Sequence, residues 1–180
     1  GGRVGGFVCL RVGQATGVDV DSKGNVWVFD RAGREWSEPF PIEPIGRPTV
    51  WVFDGQTGRL LTSWGASTFI MPHGLTIDHD DNVWLTDVGR HQVFKFAPDG
   101  RQLLVLGEAR VPGDDARHFN QPTDVAVATD GTFFVSDGDG NSRVLHFTAD
   151  GKLLKTWGTK GTGPGEFDLP HGIAIDQRGR

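Results

Sequence analysis

A pattern of apolar runs and turns recurs along the chain every 48 to 57 residues, and that period decides what the chain can fold into. The first unit runs Gly17-Val18-Asp19-Val20, then Asn25-Val26-Trp27-Val28-Phe29-Asp30, resumes at Val50-Trp51-Val52-Phe53 and closes on Leu60-Leu61-Thr62-Ser63-Trp64-Gly65. The second runs from His73 through Asn82-Val83-Trp84-Leu85-Thr86-Asp87 and Gln92-Val93-Phe94-Lys95-Phe96 to Leu103-Leu104-Val105-Leu106-Gly107. A third passes from Pro122 through Phe133-Phe134-Val135-Ser136-Asp137 and Arg143-Val144-Leu145-His146-Phe147 to Trp157-Gly158, and a fourth opens at His171 with one strand expected. Lys23-Gly24, Asp80-Asp81, Asp99-Gly100, Asp130-Gly131 and Asp150-Gly151 separate the apolar runs. Such pairs supply the positive φ that hairpin turns demand. Repeated four-stranded meanders of this length predict an all-β fold, the blades of a β-propeller.

Composition agrees. Twenty-seven glycines and ten prolines, with twelve phenylalanines and six tryptophans but no tyrosine, suit short aromatic strands between tight turns. A net charge of −5 with scattered Lys and Arg gives no basic face for nucleic acid, and no apolar run nears the roughly 20 residues of a membrane-spanning helix. Cys9 stands alone, which excludes an internal disulfide or a cysteine-based zinc site. One partial propeller domain is expected over residues 1–180, with blades near 14–65, 71–107 and 121–158 and another from 169 onward. The chain begins at Gly1 without an initiator methionine and stops at Arg180 inside the pattern, so it is expected to be a fragment carrying about three and a half blades. Residues 32–49 form an insertion, either a lid or a decoration, with four of the ten prolines.

Met71-Pro72-His73-Gly74 recurs as Leu169-Pro170-His171-Gly172. In a propeller the innermost strand lines the axial channel and starts at the rim where the second strand ends. His73 and His171 therefore open innermost strands, in slots that hold Thr16 and Thr123 in units one and three. On a six-bladed ring, alternate blades lie about 120° apart, so histidines in alternate units converge on the axis. Three convergent imidazoles with an open position make a catalytic zinc arrangement. The alternative is local: Pro-His-Gly shapes the start of the strand, with the ring donating to a neighbouring turn. His79, His91, His118 and His146 fall in turns or outer strands and are expected at the surface.

The blades are of the NHL type, and the chain resembles the peptidylamidoglycolate lyase family, the lyase domain of the peptidylglycine α-amidating system. Carrying the resemblance are Met71-Pro72-His73-Gly74-Leu75, Asn82-Val83-Trp84-Leu85-Thr86-Asp87-Val88, His91-Gln92-Val93-Phe94-Lys95-Phe96, Gln121-Pro122-Thr123-Asp124-Val125-Ala126-Val127 and Val135-Ser136-Asp137-Gly138 followed by Asn141-Ser142-Arg143. The resemblance implies a six-bladed ring and an extracytoplasmic setting. It implies a peptide substrate ending in α-hydroxyglycine, split into a peptide amide and glyoxylate. His73 and His171 correspond to two of three zinc ligands, the third expected beyond Arg180. An essential arginine falls on Arg31, whose permanent charge and forked donors suit a carboxylate. A structural calcium is implied at the backbone carbonyls of Val18 and Leu75. Where animal enzymes have Tyr-Cys after Ser-Asp-Gly, this chain has Asp139-Gly140, with Asn120 in place of the partner half-cystine. Asp139 is then the candidate base in place of the family's tyrosine.

Two rival functions remain open on the sequence. One is a non-catalytic NHL propeller that binds a peptide or protein on its upper face. The other is a lactonase-like enzyme using calcium, which would rely on clustered carboxylates and asparagines at the channel.

Overall fold

The computed structural model describes residues 12–176 and 178–180, so Cys9 lies outside the described residues. Among these the chain forms twelve strands and no helix. The first sheet holds β1 (Ala15–Val20), β2 (Val26–Asp30), β3 (Val50–Phe53) and β4 (Leu60–Trp64). The second holds β5 (Pro72–Ile77), β6 (Val83–Asp87), β7 (Gln92–Phe96) and β8 (Gln102–Leu106). The third holds β9 (Pro122–Val127), β10 (Phe133–Asp137), β11 (Arg143–Phe147) and β12 (Leu153–Trp157). Every pairing joins sequence neighbours and is antiparallel, so each sheet is a four-stranded meander and a propeller blade.

The same turn closes the first hairpin of each unit. Backbone N–H groups of Asp21, Asp78 and Ala128 donate to the carbonyls of Asn25, Asn82 and Thr132 at 2.8 to 3.0 Å. Gly24 and Gly131 take φ near +81° and +84° in this turn, and Asp81 holds the equivalent left-handed position at +61°. In the first two units the aspartate also accepts the indole N–H six residues on: Trp27 to Asp21 and Trp84 to Asp78, both at 3.0 Å. The third unit has Ala128 and Phe134 at those positions, so acceptor and donor are absent together and no polar atom is stranded.

The apolar core lies between blades rather than within them. Trp27, Phe29, Val50 and Val52 of the first blade meet Leu75, Val83, Leu85, Phe94 and Phe96 of the second. Phe69, on the connection between them, is fully buried and sits edge-on to Phe29 at 4.9 Å and Phe94 at 5.6 Å. Trp84 and Val93 of the second blade pack with Val125, Phe133, Val135, Leu145 and Phe147 of the third. In the outer strands β4, β8 and β12 every residue is half-buried or exposed.

Two devices shape the upper rim. First, each second strand ends in a buried aspartate that clamps the segment leading into its own blade. Asp30 accepts from Gly13 N–H at 3.1 Å, Asp87 from Ile70 and Met71 at 2.6 and 3.0 Å, and Asp137 from Asn120 at 2.9 Å. Secondly, each innermost strand starts with a β-bulge. Ala15 pairs with Asp30 but Gly17 with Phe29, Pro72 with Asp87 but Leu75 with Leu85, and Pro122 with Asp137 but Asp124 with Ser136. Thr16, His73 with Gly74, and Thr123 are left outside the ladder, and a bulge of this kind re-aims a side chain relative to the sheet.

The expected strand at His171 is corrected: residues 171–176 form none. A strand exists through hydrogen bonds to a partner, and among the described residues no strand pairs with this segment, which closes in a turn where Asp176 N–H donates to Arg180 O at 2.8 Å. The segment instead leans on the third blade, with Ile173 N–H donating to Asp124 at 3.2 Å. The surface expectation holds for His79 only. His91 is buried, while His118 and His146 are half-buried. His118 is held by Asp115 at 2.9 Å, and the His146 ring stacks on Phe134 with centroids 4.1 Å apart, contacts that register alone does not disclose.

Candidate metal centre

His73 and His171 meet at the channel mouth, their ring centroids 4.6 Å apart. They share a cavity of about 280 Å³ with Thr16, Val18, Leu75 and Thr123, so the slots identified in all four units face one space. Asp139, just beyond β10, stands against both rings. Its Oδ2 lies 3.5 Å from His73 Nε2 and its Oδ1 lies 3.1 Å from His171 Nε2. One ligand atom from each of the three residues falls within 4.8 Å of the others, a grouping of His73, Asp139 and His171 suited to a cation.

The tautomer of His73 follows from its partner. Nδ1 lies 2.9 Å from the Thr123 carbonyl oxygen, which can only accept, so Nδ1 carries the proton. Burial lowers the His73 pKa, an effect that Asp139 opposes and His171 and Arg31 reinforce, and the ring is neutral near pH 7. Its Nε2 lone pair then faces the Asp139 side chain across 3.5 Å and is left free to bind a ligand. Zinc at about 2.0–2.1 Å from nitrogen and 2.0–2.2 Å from oxygen, in tetrahedral geometry, spaces its ligand atoms roughly 3.3 Å apart. The observed 3.1 and 3.5 Å run to different oxygens of Asp139 and the three ligand atoms lie within 4.8 Å of one another, so it is the donor types, two imidazole nitrogens beside a carboxylate, that fit the ion. The local explanation of Pro-His-Gly and the metal explanation thus use different atoms of one ring: Nδ1 donates to a neighbouring blade, and Nε2 is left for a ligand.

Several supports escaped the sequence. Thr86, fully buried on β6, accepts from Gly74 N–H at 2.7 Å and donates to Thr123 O at 2.9 Å, bracing the carbonyl that orients His73. Gly74 is required there, because a Cβ would collide with Thr123 O. Thr123 Oγ1 donates to Pro170 O at 2.9 Å and Ser136 Oγ to His171 O at 3.0 Å, which hold the second histidine's backbone on the third blade. Gly138 has the tightest approach: a Cβ there would collide with Pro170 O. Among these Gly74 and Thr123 carried a sequence signal in the recurring Pro-His-Gly motif and its slots, and Gly138 as a glycine directly after the aspartate that ends its strand; Thr86 and Ser136 carried no signal of their own in the repeat.

Arg31 extends from the end of β2 to the same rim. Its Nε donates to Pro72 O at 2.9 Å, next to His73, and its guanidinium lies 5.3 Å from the centroid of Trp36 in the insertion. Burial lowers its pKa while Asp139 and Asp87 raise it, yet a guanidinium stays charged at any ordinary pH. Val18 and Leu75 sit on β1 and β5 along the channel. Asn120 and Gly140, which replace the half-cystines of the resemblance, adjoin through Gly140 N–H to Asn120 O at 3.1 Å.

Comparisons with known proteins agree with the repeated blades of the fold. The NHL repeat family matches residues 69–96 and 119–147, which contain β5 to β7 and β9 to β11. The peptidyl-glycine alpha-amidating monooxygenase of Mus musculus is 42% identical over 185 residues, covering 93% of this chain and 19% of that protein. The peptidyl-alpha-hydroxyglycine alpha-amidating lyase 2 of Drosophila melanogaster is 44% identical over 177 residues, covering 91% of this chain and 43% of that protein. The chain therefore spans less than half the length of these curated relatives. Among solved structures, a streptogramin B lyase superposes with a TM-score of 0.64 at 16% identity, over 96% of this chain and 48% of that one, a likeness of fold.

Proposed function

The chain belongs to the NHL-repeat propeller family of the peptidyl-alpha-hydroxyglycine alpha-amidating lyases, and from that premise we propose that it carries part of the active site of a zinc-dependent lyase. The substrate is a peptide ending in α-hydroxyglycine, and the products are the peptide amide and glyoxylate. One observation carries the zinc assignment: a carboxylate faces the lone-pair nitrogen of a histidine whose proton is fixed on the other nitrogen. His73 and His171 would hold the ion through Nε2, and zinc would supply Lewis acidity toward the substrate's hydroxyl oxygen.

The chain's own residues do the rest. Arg31 faces the rim with a charge matched to the substrate's carboxylate and fixes that end of the molecule. Asp139, beside both imidazoles, accepts the hydroxyl proton. As the oxygen releases its proton, its electrons form the aldehyde double bond of glyoxylate. The carbon–nitrogen bond breaks with its pair going to nitrogen, and the proton returns there to complete the amide. Calcium is proposed at the backbone carbonyls of Val18 and Leu75, hard oxygen donors on adjacent blades along one channel.

The assignment is tested on the natural full-length protein. His73→Ala and His171→Ala are expected to lower bound zinc below the wild-type stoichiometry, and unchanged zinc in both overturns the ligand set. Arg31→Ala is expected to lower kcat/KM for glyoxylate release at least a hundredfold, since a charge-assisted carboxylate contact contributes about 3 kcal/mol. Wild-type glyoxylate release by that variant removes Arg31 from the site.

A further inference from the structure

Beside the metal centre, on the same rim, lies a second cavity of about 320 Å³. Pro39, Phe40 and Pro41 of the first-blade insertion form one wall, and His91, Arg110 and Gln121 form the other. Two routes of contact join it to the centre. The Gln121 carbonyl accepts from Asp139 N–H at 3.3 Å. On the opposite side, Arg31 lies over Trp36, and Trp36 meets Phe40 edge-on with centroids 4.9 Å apart. A ligand anchored at Arg31 therefore has this cavity as its neighbour.

The cavity has a definite chemistry. Phe40 packs on the buried cluster of Ile70, Met71 and Val88, so its wall is firm and apolar. Glu38 and Arg110 contribute opposite charges to the lining, which leaves no preference for either sign. His91 supplies one directed donor. Its Nδ1 accepts from Gln121 N–H at 3.1 Å, so the ring proton resides on Nε2, and among the described residues nothing accepts from that nitrogen. Burial lowers the His91 pKa, which keeps the ring neutral near pH 7. His91, Arg110 and Gln121 also hold left-handed backbone, with φ of 57°, 65° and 61°, a conformation that side chains adopt reluctantly and that concentrates at functional sites. The volume lies near the lower bound of ligand pockets, roughly 300 Å³, and suits one side chain.

We propose that this cavity is the subsite for the residue preceding the C-terminal α-hydroxyglycine, that it takes an uncharged apolar or aromatic side chain there, and that His91 donates to a peptide carbonyl of that segment. The proposal rests on the lyase function above, and its test separates the two. With the natural full-length protein, kcat/KM for glyoxylate release is measured on N-acetyl-Phe-α-hydroxyglycine and on N-acetyl-α-hydroxyglycine. Calorimetry measures binding of the product N-acetylphenylalaninamide. The wild-type ratio of the two kcat/KM values is expected to exceed about tenfold, and Phe40→Ala and His91→Ala each to reduce it by about tenfold with a parallel loss of amide binding. His91→Asn, which tolerates left-handed backbone and keeps an N–H donor, is expected to recover much of the ratio. A wild-type ratio near one, or a ratio unchanged in both alanine variants, overturns the subsite while leaving the lyase intact. Absence of glyoxylate release from either substrate overturns the lyase function and the subsite with it.

Discussion

Asp78 shows how much one side chain can hold. It is buried, accepts from Asn82 and from the indole of Trp84, and pairs with Lys95 at 3.1 Å. Removing it in Asp78→Ala strands the indole N–H of Trp84, which is almost fully buried. The expected loss is about 1–3 kcal/mol, read as a lower urea midpoint with an unchanged m value. Burial pushes the Asp78 carboxyl up, but Trp84, Asn82 and Lys95 more than offset it and hold the pKa below the ordinary value. A carboxyl depressed in the fold stabilises fully above its unfolded pKa, near 3.9, and the contribution fades as pH falls through the folded value. The difference in stability between wild type and Asp78→Asn is therefore expected to be constant from about pH 5 to 7 and to shrink below about pH 4. The meeting of His73 with His171 was legible in the repeat, because register places both at one slot. Asp139 was legible only as a departure from a resemblance, since it lies in the turn after β10 where no periodicity fixes direction.

The strands themselves follow from apolar runs and turn residues, and the breaks between them fall where Lys-Gly, Asp-Asp and Asp-Gly pairs predict. Less visible are the bulges, which arise from one extra residue per hairpin and leave no mark in hydropathy. The insertion also read ambiguously, because prolines forbid regular pairing without saying what a loop covers. In the structure it rests on the fold: Ile45 is buried, with its N–H donating to Phe69 O at 2.7 Å. Gly138 tests how the segment bearing His171 is seated. In Gly138→Ala the new methyl displaces Pro170, with an expected stability cost of about 1–3 kcal/mol from overpacking. Zinc affinity is expected to fall about 10–100-fold, as when outer support of a ligand is lost, measured by competition with a chelator. Loss of stability with unchanged zinc affinity would show that the segment's seat and the metal centre are independent.

Taken together, the three blades share their cores, so none is a separate folding unit. Phe69 is the clearest joint, touching aromatic rings of both the first and second blades. Phe69→Ala is expected to cost about 3–5 kcal/mol. Hydrogen exchange should quicken in β2 and β3 as well as in β6 and β7, and a response confined to one blade would contradict a shared core. The bulges at Thr16, His73 and Thr123 divide the molecule differently. The bulged residue leaves the backbone register of the ladder and lines the channel cavity, while its side chain still bonds neighbouring strands, as Thr123 Oγ1 does to Ser136 O at 3.1 Å. Successive blades thus carry threonine or histidine at one slot while keeping the same four-stranded meander, so the chemistry at the channel mouth can change with little change in architecture.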